Sequence, residues 1–156
     1  MEFCKDFREL CSLLTAKSVE FLIVGGYAVA FHGAPRFTGD LDIFIRPDPG
    51  HVARMLEALR EFGFPTEDVN SSDLVTNPKV LRLGRVPFQV HMMTTISGVG
   101  WEQAWASREA ADYAGTPVSF IGRSALIANK LAAGRAKDLA DVEALGYPQD
   151  RPSPSM

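Results

Sequence analysis

The stretch Thr38-Gly39-Asp40-Leu41-Asp42-Ile43-Phe44-Ile45 constrains this chain more than any other. Its apolar residues predict a strand over 40–45, stopped by Arg46-Pro47. On a strand, Asp40 and Asp42 project to one face about 6.6 Å apart, while Leu41 and Ile43 point the other way. Two like charges side by side repel, and Asp has low strand propensity. A bare sheet gains nothing from that arrangement. A divalent cation reverses the balance, because Mg²⁺ takes one or two carboxylates together with phosphate oxygens of a substrate. The competing explanation is an exposed sheet edge with two solvated acids, and the apolar residues around the pair weigh against it.

Upstream, Phe21-Leu22-Ile23-Val24 is an apolar run of strand length that ends at Gly25-Gly26. Tyr27 to His32 follows as a short helix closed by Gly33. Glycines at a strand-to-helix turn let the backbone bend sharply and let a ligand come close, since no Cβ intervenes. The N–H groups that open the next helix suit a phosphate. The turn is not a dinucleotide fingerprint, because no third glycine follows at the required spacing. By itself such a turn is as compatible with a structural role.

The remaining chain supplies more elements of both kinds. Phe3, Phe7, Leu10, Cys11 and Leu14 recur at helical spacing and predict a helix over 2–17. Val52, Met55, Leu56, Leu59 and Phe62 do the same over 51–62, with Gly63 as the cap. Runs over 79–83 and 86–93 predict strands joined at Gly84-Arg85, and runs over 108–113 and 117–121 predict a second hairpin across Ala114-Gly115. Residues 101–106, 124–133 and 137–145 read as helices, the last two interrupted by Gly134. This order predicts an α/β (α+β) fold, a central mixed β-sheet flanked by helices.

Length and composition limit the function classes. The 156 residues suit one domain, expected over 1–147, followed by a flexible Pro/Ser-rich tail over 148–156. With 46% hydrophobic and 22% charged residues the chain is an ordinary globular sequence. A net charge of −3 excludes a uniformly basic protein but not a local basic patch. Cys4 and Cys11 share a predicted helical face about 10 Å apart along its axis, too far for a disulfide, and read as reduced thiols. The acids in the N-terminal segment do not fit a signal peptide, and no apolar stretch approaches a membrane span. A cytoplasmic protein with no membrane partner is the expectation.

Together, Gly25-Gly26 and Asp40-x-Asp42 resemble the nucleotidyltransferase superfamily with the DNA polymerase β-like fold. Three segments are similar to its small bacterial branch near the AbiEii/AbiGii-type toxin nucleotidyltransferases. They are Val24-Gly-Gly-Tyr-Ala-Val-Ala-Phe-His-Gly33, Arg36-x-Thr38-x-Asp40-Leu-Asp42, and Asn129-Lys130 through Lys137-Asp138-Leu-Ala-Asp141. The resemblance implies a palm-like fold and transfer of a nucleotide from an NTP to a hydroxyl acceptor, RNA or protein, in a toxin–antitoxin setting with a cognate antitoxin. It also implies that Gly25 and Gly26 hold the triphosphate, and that Asp40 and Asp42 bind Mg²⁺, with Mn²⁺ as a substitute. Lys130 would reach the phosphates, and Arg36 and Thr38 would contact phosphate or hold the loop. Lys137 and Asp138, with Arg135, match the last motif of the branch and join the nucleotide-binding set. For Lys130 a snorkelling surface lysine, and for Lys137-Asp138 a helix-start charge pattern, are the alternatives.

The chain departs from the family at one position. A third carboxylate is expected within Pro87-Phe88-Gln89-Val90-His91-Met92-Met93-Thr94, and the aligned residue is His91. Imidazole prefers zinc, manganese or nickel to magnesium, so a second metal should bind poorly. His91 then acts as general base, or ligates a softer metal, or marks a nucleotide-binding pseudoenzyme or regulatory module that has lost catalysis. Of the other residues, His32 reads as a helix-end residue and His51 as a solvated one. Trp101 and Trp105 share a helical face and suit core or partner packing. Arg123, Lys130, Arg135 and Lys137 concentrate positive charge, as a triphosphate or RNA site or as a solvated helix face.

Overall fold

A computed structural model of the chain describes residues 5–35, 38–85, 88–113 and 115–147. Cys4, Arg36, Val86, Ala114 and the expected tail over 148–156 lie outside the described residues. Helix α1 (Lys5–Ala16) buries Phe7, Leu10, Cys11 and Leu14, the face that the helical spacing marks. Burial pushes the Cys11 thiol up to about 12, which leaves it an unreactive core group. Strand β1 (Phe21–Val24) is buried along its whole length. Then follow α2 (Gly25–Phe31), β2 (Asp40–Ile45), α3 (Pro49–Phe62) and α4 (Ser71–Thr76). The second half adds β3 (Leu81–Arg85), β4 (Phe88–Met93), α5 (Trp101–Ala106), β5 (Glu109–Tyr113), β6 (Thr116–Phe120), α6 (Arg123–Ala133) and α7 (Ala136–Ala144).

The strands form a mixed six-stranded sheet in the order β3-β4-β2-β1-β6-β5. Strand β2 is interior: β1 runs antiparallel on one side and β4 parallel on the other. That position removes the edge-strand explanation of Asp40 and Asp42. Leu41, Ile43 and Ile45 are fully buried on the opposite face, at roughly 1.5–3 kcal/mol for each such side chain. Helix α1 packs on α3 and β6, α2 on β1, β2 and α6, and α6 on α7. Buried apolar side chains from these elements join into one cluster. Among the described residues no helix is long and apolar enough to cross a membrane.

Local chemistry explains the boundaries. The Asp48 carboxylate accepts a hydrogen bond from the His51 amide at 2.8 Å, which starts α3 at Pro49 rather than at His51. His51 is accordingly not solvated: its ring lies 3.0 Å from Asp48 and its side chain is 15% exposed. Helix α4 was not expected; Asn70 caps it by accepting from the Asp73 amide at 2.8 Å. The first hairpin also differs from expectation. Arg85 pairs with Phe88, so Gly84 and Arg85 belong to β3 rather than to the turn. Strand β3 begins at Leu81 because its partner Met92 stands at the far end of the ladder, one residue before β4 stops. Trp101 is buried, stacks on Trp105 at 5.3 Å and meets Phe44 edge-on at 5.0 Å, the expected core packing.

Candidate functional site

The site begins where β1 becomes α2 without an intervening loop. Helix α2 starts at Gly25, two residues before the expected Tyr27, and Gly25 has φ +66°. A side chain is unfavourable there for a second reason: a Cβ on Gly25 would collide with Asp42 Oδ2. A Cβ on Gly26 would lie 3.0 Å from the Thr38 side chain. The missing Cβ atoms thus make room for the protein's own Asp42 and Thr38, and the turn is locked to the strand that carries the acids.

Sheet register then sets the neighbours of those acids. Asp42 pairs with Val24 on β1 and with His91 on β4, and Asp40 pairs with Gln89. Paired residues share a face, so the five side chains stand together. His91 Nδ1 lies 2.9 Å from Asp42 Oδ1. An ionised carboxylate only accepts, so the ring proton sits on Nδ1 and points at Asp42. On the other side, His91 Nε2 lies 3.3 Å from Gln89 Oε1; without a proton in this tautomer, Nε2 accepts from Gln89 only with the carboxamide turned to present its N–H₂ group. The Asp42 carboxyl is held above its ordinary 3.8, first by burial and further by Asp40; His91 and Lys130 oppose the shift.

Helices α6 and α7 supply the facing wall. Lys130 is no snorkelling surface residue: its side chain is 6% exposed and its ammonium lies 3.3 Å from Asp138 and 3.0 Å from Asp141. Asp138 also accepts from the Arg135 amide at 3.2 Å and from its guanidinium at 2.7 Å, which caps α7. Burial alone would raise the Asp138 carboxyl, but the hydrogen bonds from Arg135 and Lys130 outweigh it and hold the carboxyl low. The Arg135 side chain remains 64% exposed, and Lys137 is exposed beside it.

Between the walls lies a cleft of about 700 Å³. Gly25, Gly26, Thr38, Asp40, Asp42, His91, Lys130, Lys137 and Asp138 all line it. Of the expected site residues only Arg36 falls outside the described residues. The sequence did not single out Val80, Arg82, Met93 or the loop from Thr95 to Ser97, which also line it. Asn129, quoted only as part of a motif, donates to the Ser97 carbonyl at 2.9 Å and fixes that loop to α6. His32, by contrast, donates from Nε2 to the Ile121 carbonyl at 2.7 Å and ends α2, away from the cleft lining.

The donor set decides which metal the site suits. Among the described residues no group of three or more His, Cys, Asp or Glu side chains is disposed to hold an ion. Two carboxylates on one face, one of them with a raised pKa, fit a hard divalent cation that a substrate phosphate helps to bind. They do not make a complete cage, and His91 has one ring nitrogen turned to Asp42 and the other to Gln89.

Comparison with solved structures answers to this geometry. The lincosamide antibiotic adenylyltransferase LnuA, solved with lincomycin bound, is 13% identical over 94% of this chain and 98% of its own, with a TM-score of 0.55. This chain has the nucleotidyltransferase fold. An antigenic nucleotidyltransferase-like protein from Paracoccidioides brasiliensis is 16% identical, over 93% of this chain and 78% of its own, at a TM-score of 0.54. The antibiotic-resistance factor ANT(2'')-Ia is 13% identical, over 90% of this chain and 80% of its own, at 0.55. No protein-family model matches the chain, and no curated protein sequence does.

Proposed function

We propose that the cleft transfers a nucleotide from an NTP to a hydroxyl acceptor with the help of Mg²⁺, for which Mn²⁺ can substitute. The observation that carries this reading is the position of the Asp42 carboxylate in the space that a Cβ on Gly25 would fill, which ties the glycine turn to the pair of acids. Gly25 and Gly26 hold the triphosphate, and Thr38 keeps the turn in place. Asp40 and Asp42 would hold the metal, which when bound would neutralise charge on the phosphate oxygens. The acceptor oxygen forms a bond to the α-phosphorus. The bond from that phosphorus to its bridging oxygen breaks, and pyrophosphate leaves with the electron pair. The acceptor proton passes to His91 Nε2, which the Gln89 side chain releases, while Asp42 Oδ1 holds the ring through Nδ1–H. Lys137 and Arg135 face the phosphates from the opposite wall; Lys130 and Asp138 fix that wall.

The resemblance to the toxin branch supports RNA or protein as acceptor, with an antitoxin as partner; a small-molecule acceptor is the other outcome of a transfer assay. One observation favours a second reading. His91 stands where the family has a third carboxylate and occupies one oxygen of Asp42, an arrangement that also suits nucleotide binding without transfer. Calorimetric titration with each NTP, with and without Mg²⁺ or Mn²⁺, tests both readings. Binding that needs metal and vanishes in Asp42→Ala supports the site, and labelled transfer then separates enzyme from binding module. No uptake of any nucleotide sinks both.

A further inference from the structure

Nucleotidyl transfer as written leaves Arg82 without a part. In the antiparallel β3–β4 ladder Arg82 pairs with His91. His91 pairs with Asp42, and Asp42 with Val24, the residue before Gly25. Paired residues share a face, so the glycine turn, Asp42, His91 and Arg82 form one row across β1, β2, β4 and β3. Arg82 is exposed, lines the cleft, and its side chain has no ion pair or hydrogen bond among the described residues. Lys130 and Arg135, on the facing wall, are already tied to Asp138. An unpaired guanidinium beside the proton acceptor is an anion site in waiting.

The order of the row assigns its ends. If the triphosphate lies on the Gly25 end and bond formation occurs at Asp42, the acceptor enters past His91 and its body lies over β3. Two strand spacings put that position about 10 Å from Asp42. We propose, on the strength of the transfer reading, that Arg82 is an acceptor-side specificity residue, and that the acceptor carries a phosphate or carboxylate near the hydroxyl it presents. Val80 and Met93, which line the same part of the cleft, give apolar surface to the carbon skeleton beside that anion.

The test starts with the full chain and non-hydrolysable NTP analogues in Mg²⁺, titrated calorimetrically into wild type and Arg82→Gln. Nucleotide affinity is expected to agree within about twofold, because the substitution is remote from the phosphate turn. The loaded proteins then meet two acceptor probes, a hexauridylate RNA with a free 3′-hydroxyl and ribose 5-phosphate. At least one binds wild type, Arg82→Gln weakens it about tenfold, and Arg82→Lys restores part of the loss. Which probe binds tells an oligonucleotide from a small phosphorylated acceptor. Binding of neither probe, or equal binding by Arg82→Gln, overturns the proposal, as does a loss of nucleotide affinity in that variant. Failure of wild type to take up any nucleotide shows in the first titration and removes the transfer reading itself.

Discussion

On the sheet wall of the cleft, Asp40 and Asp42 stand side by side and His91 is the partner of only one of them. On the helix wall, Lys130 has two carboxylates, and Asp138 has hydrogen bonds from both Lys130 and Arg135. The pKa shifts follow the same division: Asp42 is held above its ordinary value and Asp138 below. The acid pair at the centre of the sheet wall is short of positive charge, and the buried ion group of the helix wall is compensated from within. Uncompensated acids of the first kind suit a bound cation, whereas a self-compensated buried ion group of the second kind holds two helices together.

The sharpest way to break this contrast is Lys130→Met. It takes the ammonium from between the buried carboxylates of Asp138 and Asp141, and about 3–5 kcal/mol of stability should be lost. Urea unfolding measures it, and adding Asp138→Asn and Asp141→Asn should recover most of the loss. A cost below about 1 kcal/mol in the single variant would mean that the wall is not self-compensated.

Gly25→Ala should cost less, about 1–3 kcal/mol, since it forces a side chain into positive φ and against Asp42. Metal-dependent nucleotide binding should disappear with it in calorimetry, whereas Gly33→Ala, also at positive φ but with open space around it, should retain binding.

His91→Asp sharpens the contrast from the other side. A third acid beside Asp42 should lower the melting temperature of the metal-free protein. At one fixed Mg²⁺ concentration the ion should then stabilise it more than wild type, reaching about 2.7 kcal/mol in total when that concentration is a hundredfold above the variant's Kd. An equal metal response in both proteins would show that the position does not face the ion.

The smallest effect belongs to Asp42→Asn, which should stabilise the metal-free protein at neutral pH by about 1 kcal/mol or less. The sign follows from the raised carboxyl. Its contribution is fully present below about 3.8 and is lost as pH rises through the folded-state value. Asp138 does the reverse, stabilising above about 3.8 and losing that as pH falls through its lowered value. Acid titration of stability should therefore fall more steeply in Asp42→Asn than in wild type, and less steeply when Asp138→Asn is combined with Lys130→Met.

Most of the fold was legible because its elements are locally periodic: the buried face of α1, the run into Gly25, and the alternation of β2 all follow from residues a few positions apart. Helix α4 escaped because six residues are too short for a period to show, although Asn70 and Asp73 carry a cap signal. The hairpin turn was displaced because register depends on pairing with β4, and local glycine chemistry favoured Gly84.

The candidate site divides in the same way. By itself the sequence determined that two acids share a strand face and that a glycine turn precedes them, since spacing along one chain segment settles both. Only the tertiary structure decided that His91 bonds to Asp42, 49 positions away. It alone turned Lys130 from a surface cation into the centre of a buried ion group, and brought Arg82 into the cleft. Those facts depend on which strands pair and which helices pack, and such long-range choices are made by the summed burial of the whole core rather than by any local pattern.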